Sequence, residues 1–379
     1  MKRITPLVHM WSRYSAEDRL DHNGYFVQGA AGEPGAVVDP VAQHAGDGEE
    51  MRELGGVSAV VLSGGDEERA HEAAWFQREF DCVVYAPAEG GGLFEQAGVK
   101  GAHGLKEWEA LPGGLFPSAL PNVVAEGDAG GWVFLHRRAR AWFAGDLVLG
   151  APAGALGLPE RVGGEQAQAR AARALRGLLA VTFERLLVSR GMPVFREAAR
   201  TVQDLVYAHD PEACVMRQSE ASFAPGLQHG ESYGRRGAEY ARLLGLNTLD
   251  FDLQEVQPGR RSTAVHRHDG DEECFVILSG EGEVHILRPG ETEVRRISIK
   301  AGDVVAFPPR YQIAHSFKCT GSEALRFFGF SAPGEESVGV VDYPLSGKRL
   351  TYAWPPGKLS RYFLPERRDV PYFENEPED

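Results

Sequence analysis

Three side chains suited to metal binding stand close together in one short segment of the chain. Residues 259–282 contain His266, His268 and Glu273. Two residues apart on a β-strand, the histidines leave the same face, where their imidazoles can bind one divalent ion. With 12 histidines in 379 residues, chance alone gives roughly 0.4 pairs at this spacing, so the pair is weak evidence by itself.

The residues that follow the pair make the pattern more specific. Glu273 lies five residues after His268, and Gly280 follows seven residues later, where a hairpin has to turn. Glu272 competes with Glu273, but only Glu273 keeps the six-residue gap to Gly280. Further on, His315 follows a strand that ends at a proline.

This pattern resembles the two sequence motifs of the cupin superfamily. The matching residues are Gly259, His266, His268, Glu273, Gly280, Gly302, Pro308 and His315. The chain departs from the family where Arg310 replaces a glycine, Cys319 replaces an asparagine, and the loop to His315 is two residues longer. The resemblance covers roughly residues 249–331 and implies an all-β jelly-roll barrel.

The same resemblance implies a site for one divalent transition metal. Its ligands would be His266, His268, Glu273 and His315, and Fe, Mn, Ni, Cu and Zn all remain open. Such a shell leaves one or two positions of an octahedral ion free for oxygen activation, enediol chemistry or Lewis-acid catalysis. A closed structural zinc site is usually rich in thiolates, which this set lacks. The alternative is a barrel that has lost its metal.

Two residues beside His315 are candidates for contacting a substrate. Arg310 could hold a carboxylate, because a guanidinium binds a carboxylate through two hydrogen bonds. Tyr311 follows it directly. For both residues the alternative is an exposed position on a loop.

The first part of the chain has a different character, with alternating strands and helices. Residues 36–40, 143–147 and 186–193 resemble segments of the metallo-β-lactamase fold. This resemblance covers roughly residues 20–207 and implies an α/β domain built as an αββα sandwich.

The metal ligands of that family are missing from the matching positions. Residues 64–69 offer no histidine, and Arg190 stands where the last histidine would be. The remaining carboxylate, Asp146, cannot hold a dinuclear centre alone. We therefore expect a degenerate, metal-free domain in which Asp66 begins a helix. Arg69 and Arg190 are expected to form a salt bridge with Asp146.

Composition favours a two-domain globular protein, with 43% hydrophobic and 25% charged residues. The predicted parts are a degenerate metallo-β-lactamase-like domain over 1–210, a linker or helical connection over 211–247, a cupin barrel over 248–342, and an extension with an acidic tail over 343–379. A net charge of -14 argues against nucleic acid or an anionic membrane as partner.

We expect a cytoplasmic protein, because the chain shows neither a signal peptide nor a transmembrane segment and its four cysteines are scattered. Exposed barrel edges favour a homodimer, and the barrel itself favours a small-molecule ligand.

The main functional prediction is a metal-dependent enzyme acting on a small oxygenated or carboxylated substrate, as a dioxygenase, isomerase or lyase. The alternative is a non-catalytic metal- or ligand-binding barrel, with the first domain as scaffold or dimer surface. A third hypothesis, residual hydrolase activity in the first domain, is weak because the ligands are missing.

Overall fold

A computed structural model describes residues 1–30, 33–88, 91–120, 131–218, 223–246, 248–332, 338–353, 360–364 and 369–376. The chain divides into two compact units, Met1–Cys214 and Val215–Asp379. Parts of the predicted linker (219–222 and 247) and the last three residues of the predicted acidic tail lie outside the described residues. Within the described part, no helix is long and apolar enough to cross a membrane.

The first unit contains both helices and strands. Its helices are α1 (Asp47–Glu53), α2 (Glu67–Phe80), α3 (Gly91–Gln96), α4 (Glu165–Leu175) and α5 (Ala198–His209). Its strands are β1 (Lys2–Arg3), β2 (Val8–Ser15), β3 (Leu20–Val27), β4 (Gly35–Val38), β5 (Val57–Val61), β6 (Val83–Ala86), β7 (His103–Gly104), β8 (Leu115–Leu120), β9 (Gly131–His136), β10 (Ala141–Gly145) and β11 (Arg185–Val188).

These strands form two sheets that pack face to face. Strands β1 to β7 follow chain order in one sheet, and the second has the order β11-β10-β9-β8. On one face of the first sheet, Ala70 and Phe76 of α2 join a buried apolar cluster. On its other face, Phe134 and Phe143 of the second sheet join another. The indole N–H of Trp142 in β10 donates to the carbonyl of Leu178, just after α4. This contact places the α4 region against the second sheet, so the layers run helix, sheet, sheet, helix.

Two local predictions for this unit are confirmed. Asp66 is the N-cap of α2, and its side chain accepts a hydrogen bond from the backbone N–H of Arg69 at 2.9 Å. The sequence also predicts a hairpin formed by residues 132–135 and 141–147, and it is present as β9 and β10, which pair antiparallel.

The second unit is mainly β-structure, with the short helix α6 (Tyr240–Leu243). Its strands are β12 (Ala224–His229), β13 (Tyr233–Ala238), β14 (Asp250–Val256), β15 (Arg267–His268), β16 (Glu272–Ser279), β17 (Glu281–Leu287), β18 (Arg295–Lys300), β19 (Val304–Phe307), β20 (Ala314–Cys319), β21 (Leu325–Ala332), β22 (Val338–Tyr343), β23 (Lys348–Ala353) and β24 (Ser360–Phe363).

The strands of this unit enclose an apolar core as a jelly-roll barrel does. One sheet has the order β12-β13-β14-β21-β16-β19, a second β15-β22-β23-β24, and a third β18-β17-β20. Phe275, Ile277 and Phe327 of the first sheet pack against Val284 and Phe317 of the third. Phe275 and Phe317 of this core also line the cavity described below.

The structure differs from the predicted boundaries on both sides of the barrel. Part of the predicted linker forms β12 and β13, which extend the barrel sheet antiparallel to β14. These two strands contain glycines and the pair Arg235-Arg236, so they lack a clear alternation of apolar and polar residues. Their strand conformation was therefore not predicted from the sequence. Part of the predicted C-terminal extension forms β23 and β24, which pair with β22.

Candidate metal centre

The predicted metal ligands come from three neighbouring strands of the barrel. His266 immediately precedes β15, which contains His268, while Glu273 lies in β16 and His315 in β20. His266 and His315 exchange two backbone hydrogen bonds, of 3.1 and 2.7 Å. This pairing holds the two imidazole rings with their centroids 4.8 Å apart.

The carboxylate of Glu273 lies between two of the histidines. Its Oε1 is 3.4 Å from His268 Nε2, and its Oε2 is 3.3 Å from His315 Nε2. One donor atom from each of His266, His268 and Glu273 lies within 4.8 Å of the others. Nitrogen and oxygen ligands bind at about 2.0–2.2 Å, which places neighbouring donors about 3 Å apart around one ion. The structure therefore brings His266, His268 and Glu273 together with spacings suited to a single ion, and His315 lies beside Glu273.

Hydrogen bonds from the Nδ1 atoms of His266 and His268 leave the Nε2 atom of each ring available to a metal. His266 Nδ1 donates to the carbonyl of Ala264 at 2.9 Å, and His268 Nδ1 donates to Asp271 Oδ2 at 3.0 Å. Each ring then keeps the lone pair of its Nε2, the form that binds a metal. Asp271 was not predicted from the sequence, although a carboxylate three residues after the second histidine could have indicated it.

Burial keeps most of these imidazoles neutral. It lowers the pKa of His266 to about 3, helped by the neighbouring His268, and it lowers the pKa of His315 well below its usual value. Burial acts in the same direction on His268, but the hydrogen bond to Asp271 and the charge of Glu273 raise its pKa overall. Burial also raises the pKa of Glu273. Because metal binding requires unprotonated ligands, His266 and His315 are the two groups whose shifted pKa values favour binding of a divalent transition metal.

The ligands line a cavity of about 510 Å³ within the second unit. A second polar group in the lining comes from β13, β14, β21 and the residue after β13, namely Arg235, Glu239, Asp250, Asp252, Gln254 and Ser331. Four tyrosines also line it: Tyr343, Tyr352, Tyr362 and Tyr372. None of these residues was singled out from sequence, because strand pairing and not a motif brings them to the cavity.

Asp252 is the most perturbed carboxyl of that second group. Burial, reinforced by the charge of Glu239, raises its pKa to about 7. Gln254 Nε2 donates to Asp252 Oδ1 at 3.1 Å, and Arg235 Nη1 donates to Gln254 Oε1 at 2.8 Å. Asp252 can therefore gain or lose a proton near neutral pH.

Arg310 and Tyr311 lie elsewhere. Both are exposed, within a 3₁₀ turn over Pro309–Tyr311. The guanidinium of Arg310 donates to the Tyr311 hydroxyl at 2.6 Å and lies over its ring. Neither residue belongs to the described lining of the cavity, since the turn directs them to solvent, so the predicted grip on a substrate carboxylate has no support here.

In the first unit, the predicted salt bridge around Asp146 is confirmed. Arg69 donates to both carboxylate oxygens of Asp146, at 2.7 and 2.9 Å, and Arg190 Nε lies 3.3 Å from Oδ1. The side chain of Arg69 is 3% exposed. Guanidinium groups therefore occupy the positions at which the metallo-β-lactamase resemblance would place metal ligands.

Comparison with known proteins assigns the barrel to a family. Residues 252–330 match the cupin domain model. The oxalate-binding protein of Thermotoga maritima is 31% identical over 118 residues, which cover 30% of this chain and 88% of that protein. Through its second unit, the chain belongs to the cupin family.

Two solved structures are also similar to part of this chain. A candidate sugar phosphate isomerase from Acidithiobacillus ferrooxidans is 24% identical with a TM-score of 0.35, covering 43% of this chain and 99% of that chain. A predicted oxalate decarboxylase from Thermotoga maritima is 26% identical with a TM-score of 0.25, covering 31% of this chain and 98% of that chain.

Proposed function

We propose that the barrel is a mononuclear metal-dependent enzyme acting on a small oxygenated or carboxylated substrate. The observation that carries the proposal is the convergence of three imidazoles and one carboxylate on the wall of a 510 Å³ cavity. The proposed ligands are His266, His268, Glu273 and His315, and the metal is one divalent ion of Fe, Mn, Ni, Cu or Zn.

When bound, such an ion supplies Lewis-acid or redox chemistry at its open positions. The residues of the chain do the rest. Asp271 orients the ring of His268 through its hydrogen bond. Asp252 holds or releases a proton at its carboxyl, and the tyrosines that line the cavity restrict access of water.

Metal-dependent turnover is the test of this proposal. The protein is stripped with a chelator and reloaded separately with Mn, Fe, Ni, Cu or Zn. It is then assayed for oxygen consumption, decarboxylation and isomerisation on hydroxy acids and sugars. One metal should restore turnover, the double variant His266→Ala/His268→Ala should lack it, and His71→Ala should keep it because His71 is exposed on α2. Turnover that survives in the double variant would refute the metal-dependent mechanism.

The alternative function is a non-catalytic ligand-binding barrel. It is favoured by the relative whose name describes binding and not catalysis. Ligand binding without turnover under any of the five metals would decide for this alternative.

For the first unit, we propose a degenerate, metal-free relative of the metallo-β-lactamase fold that serves as scaffold or dimer surface. The succession of helix, sheet, sheet and helix supports it, as does the pairing of Asp146 with Arg69 and Arg190. The weaker hydrolase hypothesis requires a zinc-dependent activity that Asp146→Ala abolishes. Light scattering on the purified chain tests the proposed homodimer.

A further inference from the structure

The part of the cavity wall formed by β13 and β14 is acidic. Asp250, Asp252 and Gln254 occupy alternate positions of β14, and Glu239 follows β13 directly. All four line the cavity that the metal ligands also line. Among the described lining residues, Arg235 is the one lysine or arginine.

Strand register places these carboxyls beside the metal centre. Asp250 lies opposite Ser331 of β21, and Ser331 lies opposite Glu273 of β16. Neighbouring strands are about 4.8 Å apart, so the backbones at Asp250 and Glu273 are separated by about 10 Å. A ligand of a few carbon atoms that touches the metal therefore reaches this wall.

The absence of a side chain at Gly329 gives Asp252 its place in the cavity. Gly329 is the cross-strand partner of Asp252. A Cβ at this glycine would lie 3.0 Å from Asp252 Oδ1. A larger residue at 329 would crowd the carboxyl, whereas glycine leaves it free to face the ligand space.

The charges at this wall are only partly compensated, because Arg242 pairs with Glu239 at 3.2 Å. Arg235 donates to the amide of Gln254, and no ion pair to Asp250 or Asp252 occurs among the described residues. Burial and the charge of Glu239 raise the pKa of Asp252 to about 7 and that of Asp250 to about 6. Burial and the charge of Glu239 disfavour a negative charge on these carboxyls, and they also disfavour a negative charge on a ligand beside them.

Resting on the proposed function, we propose that this acidic wall selects a neutral, polyhydroxylated ligand and rejects small dianions such as oxalate. Five carboxyl groups line the cavity: Glu239, Asp250, Asp252, Asp271 and Glu273. Against them stand Arg235, Arg242 paired with Glu239, and one divalent ion. These carry one positive charge fewer than the five ionised carboxylates, so a dianion would add two negative charges to a site that already carries an excess.

Hydrogen bonding favours the same class of ligand. An ionised carboxylate only accepts hydrogen bonds, so its natural partner is a hydroxyl donor. Tyrosine side chains of the lining add apolar ring faces and further hydroxyls. The volume of 510 Å³ lies in the range of about 300–1,000 Å³ typical of ligand pockets, which is ample for a polyol of several carbons.

A matched pair of probes isolates the charge of the ligand. L-Threitol and L-tartrate share a four-carbon chain with two inner hydroxyls and differ in their ends, which are hydroxymethyl groups in one and carboxylates in the other. Both are titrated calorimetrically into the metal-loaded protein at pH 8 and constant ionic strength, with metal content measured on the same sample. Threitol should bind at least tenfold more tightly than tartrate.

Two variants test whether Asp252 causes the preference for threitol over tartrate. Asp252→Asn should raise tartrate affinity about tenfold and weaken threitol, because it removes a negative charge and an ionic acceptor. Asp204→Asn is the matched control, since Asp204 is exposed on α5 of the other unit, and it should change neither affinity. Tartrate binding as tight as threitol, or no threitol binding by metal-loaded protein, overturns the inference and leaves the metal centre standing. A protein that takes up no metal refutes the proposed function instead.

Discussion

Asp252 lies in the cavity with a carboxyl that the folded protein prefers to keep protonated. Its pKa rises from 3.8 to about 7 on folding, so ionisation of this group reduces stability progressively between about pH 4 and pH 7. Asparagine resembles the protonated form. Asp252→Asn should therefore stabilise the protein at pH 8 by about 2–4 kcal/mol, because each pKa unit corresponds to about 1.4 kcal/mol. At pH 4 the gain should fall to about 0.5 kcal/mol.

Denaturant unfolding at the two pH values measures this difference. Asp204→Asn is the control, since a substitution at this exposed position is expected to change stability by less than about 0.5 kcal/mol. An equal effect of Asp252→Asn at both pH values would mean that ionisation of the Asp252 carboxyl does not destabilise the folded protein.

At the scale of single residues, sequence spacing predicted the four proposed ligands and the salt bridge of Asp146 with Arg69 and Arg190. It did not predict Asp252, because this residue reaches the cavity through the pairing of β14 with β21, and register between distant strands leaves no local signal. For Arg310, sequence spacing left a substrate contact and an exposed loop position open, and in the structure a turn directs its side chain to solvent.

At the scale of elements, the C-terminal segment is attached to β23 by a buried ion pair. Lys348 begins this strand, and its Nζ contacts Glu376 and donates to the carbonyl of Glu374 at 2.8 Å. The two charged side chains are 0% and 1% exposed. Tyr372 of the same segment lines the cavity, so this attachment also shapes the candidate site.

Lys348→Ala should destabilise the protein by about 3–5 kcal/mol, because it leaves the carboxylate of Glu376 buried without its partner. Lys300→Ala is the control, since Lys300 is exposed at the end of β18 and should cost less than about 0.5 kcal/mol. Thermal and denaturant unfolding measure both. A loss below about 1 kcal/mol for Lys348→Ala would show that the segment does not depend on this pair.

Elements of the barrel with clear alternation were predictable, whereas those around it were not. Alternating residues over 250–256 predict a strand, and β14 has these bounds. Strands β12 and β13 are rich in glycine and arginine, and β23 lies in a stretch whose aromatic and charged residues suggested an irregular extension. Their strand conformation depends on pairing with β14 and β22, which is tertiary information.

At the scale of the whole molecule, the first unit should depend on its own buried charge cluster. Arg69 and the neighbouring arginines hold the pKa of Asp146 below its usual value against the effect of burial. This carboxylate therefore stabilises the fold above the unfolded pKa near 4, and the contribution is lost as the pH falls through the lower folded value.

Asp146→Asn should destabilise the first unit by about 3–5 kcal/mol at pH 7, because the buried Arg69 loses the carboxylate that pairs with both of its Nη atoms. The difference from wild type should persist to about pH 5 and shrink below pH 4. Tryptophan fluorescence follows this unit, which contains Trp11, Trp75, Trp108, Trp132 and Trp142. The metal content of the barrel should not change. Unaltered unfolding, or loss of metal, would contradict this account.

Metal content is the most direct test of the central claim. The protein is purified without chelator or added metal, and plasma mass spectrometry is applied to wild type, His266→Ala/His268→Ala and His71→Ala. Wild type and His71→Ala should contain close to one transition-metal ion per chain, and the double variant almost none. A wild-type protein that stays empty after reconstitution, or a double variant that keeps its metal, would contradict the central claim.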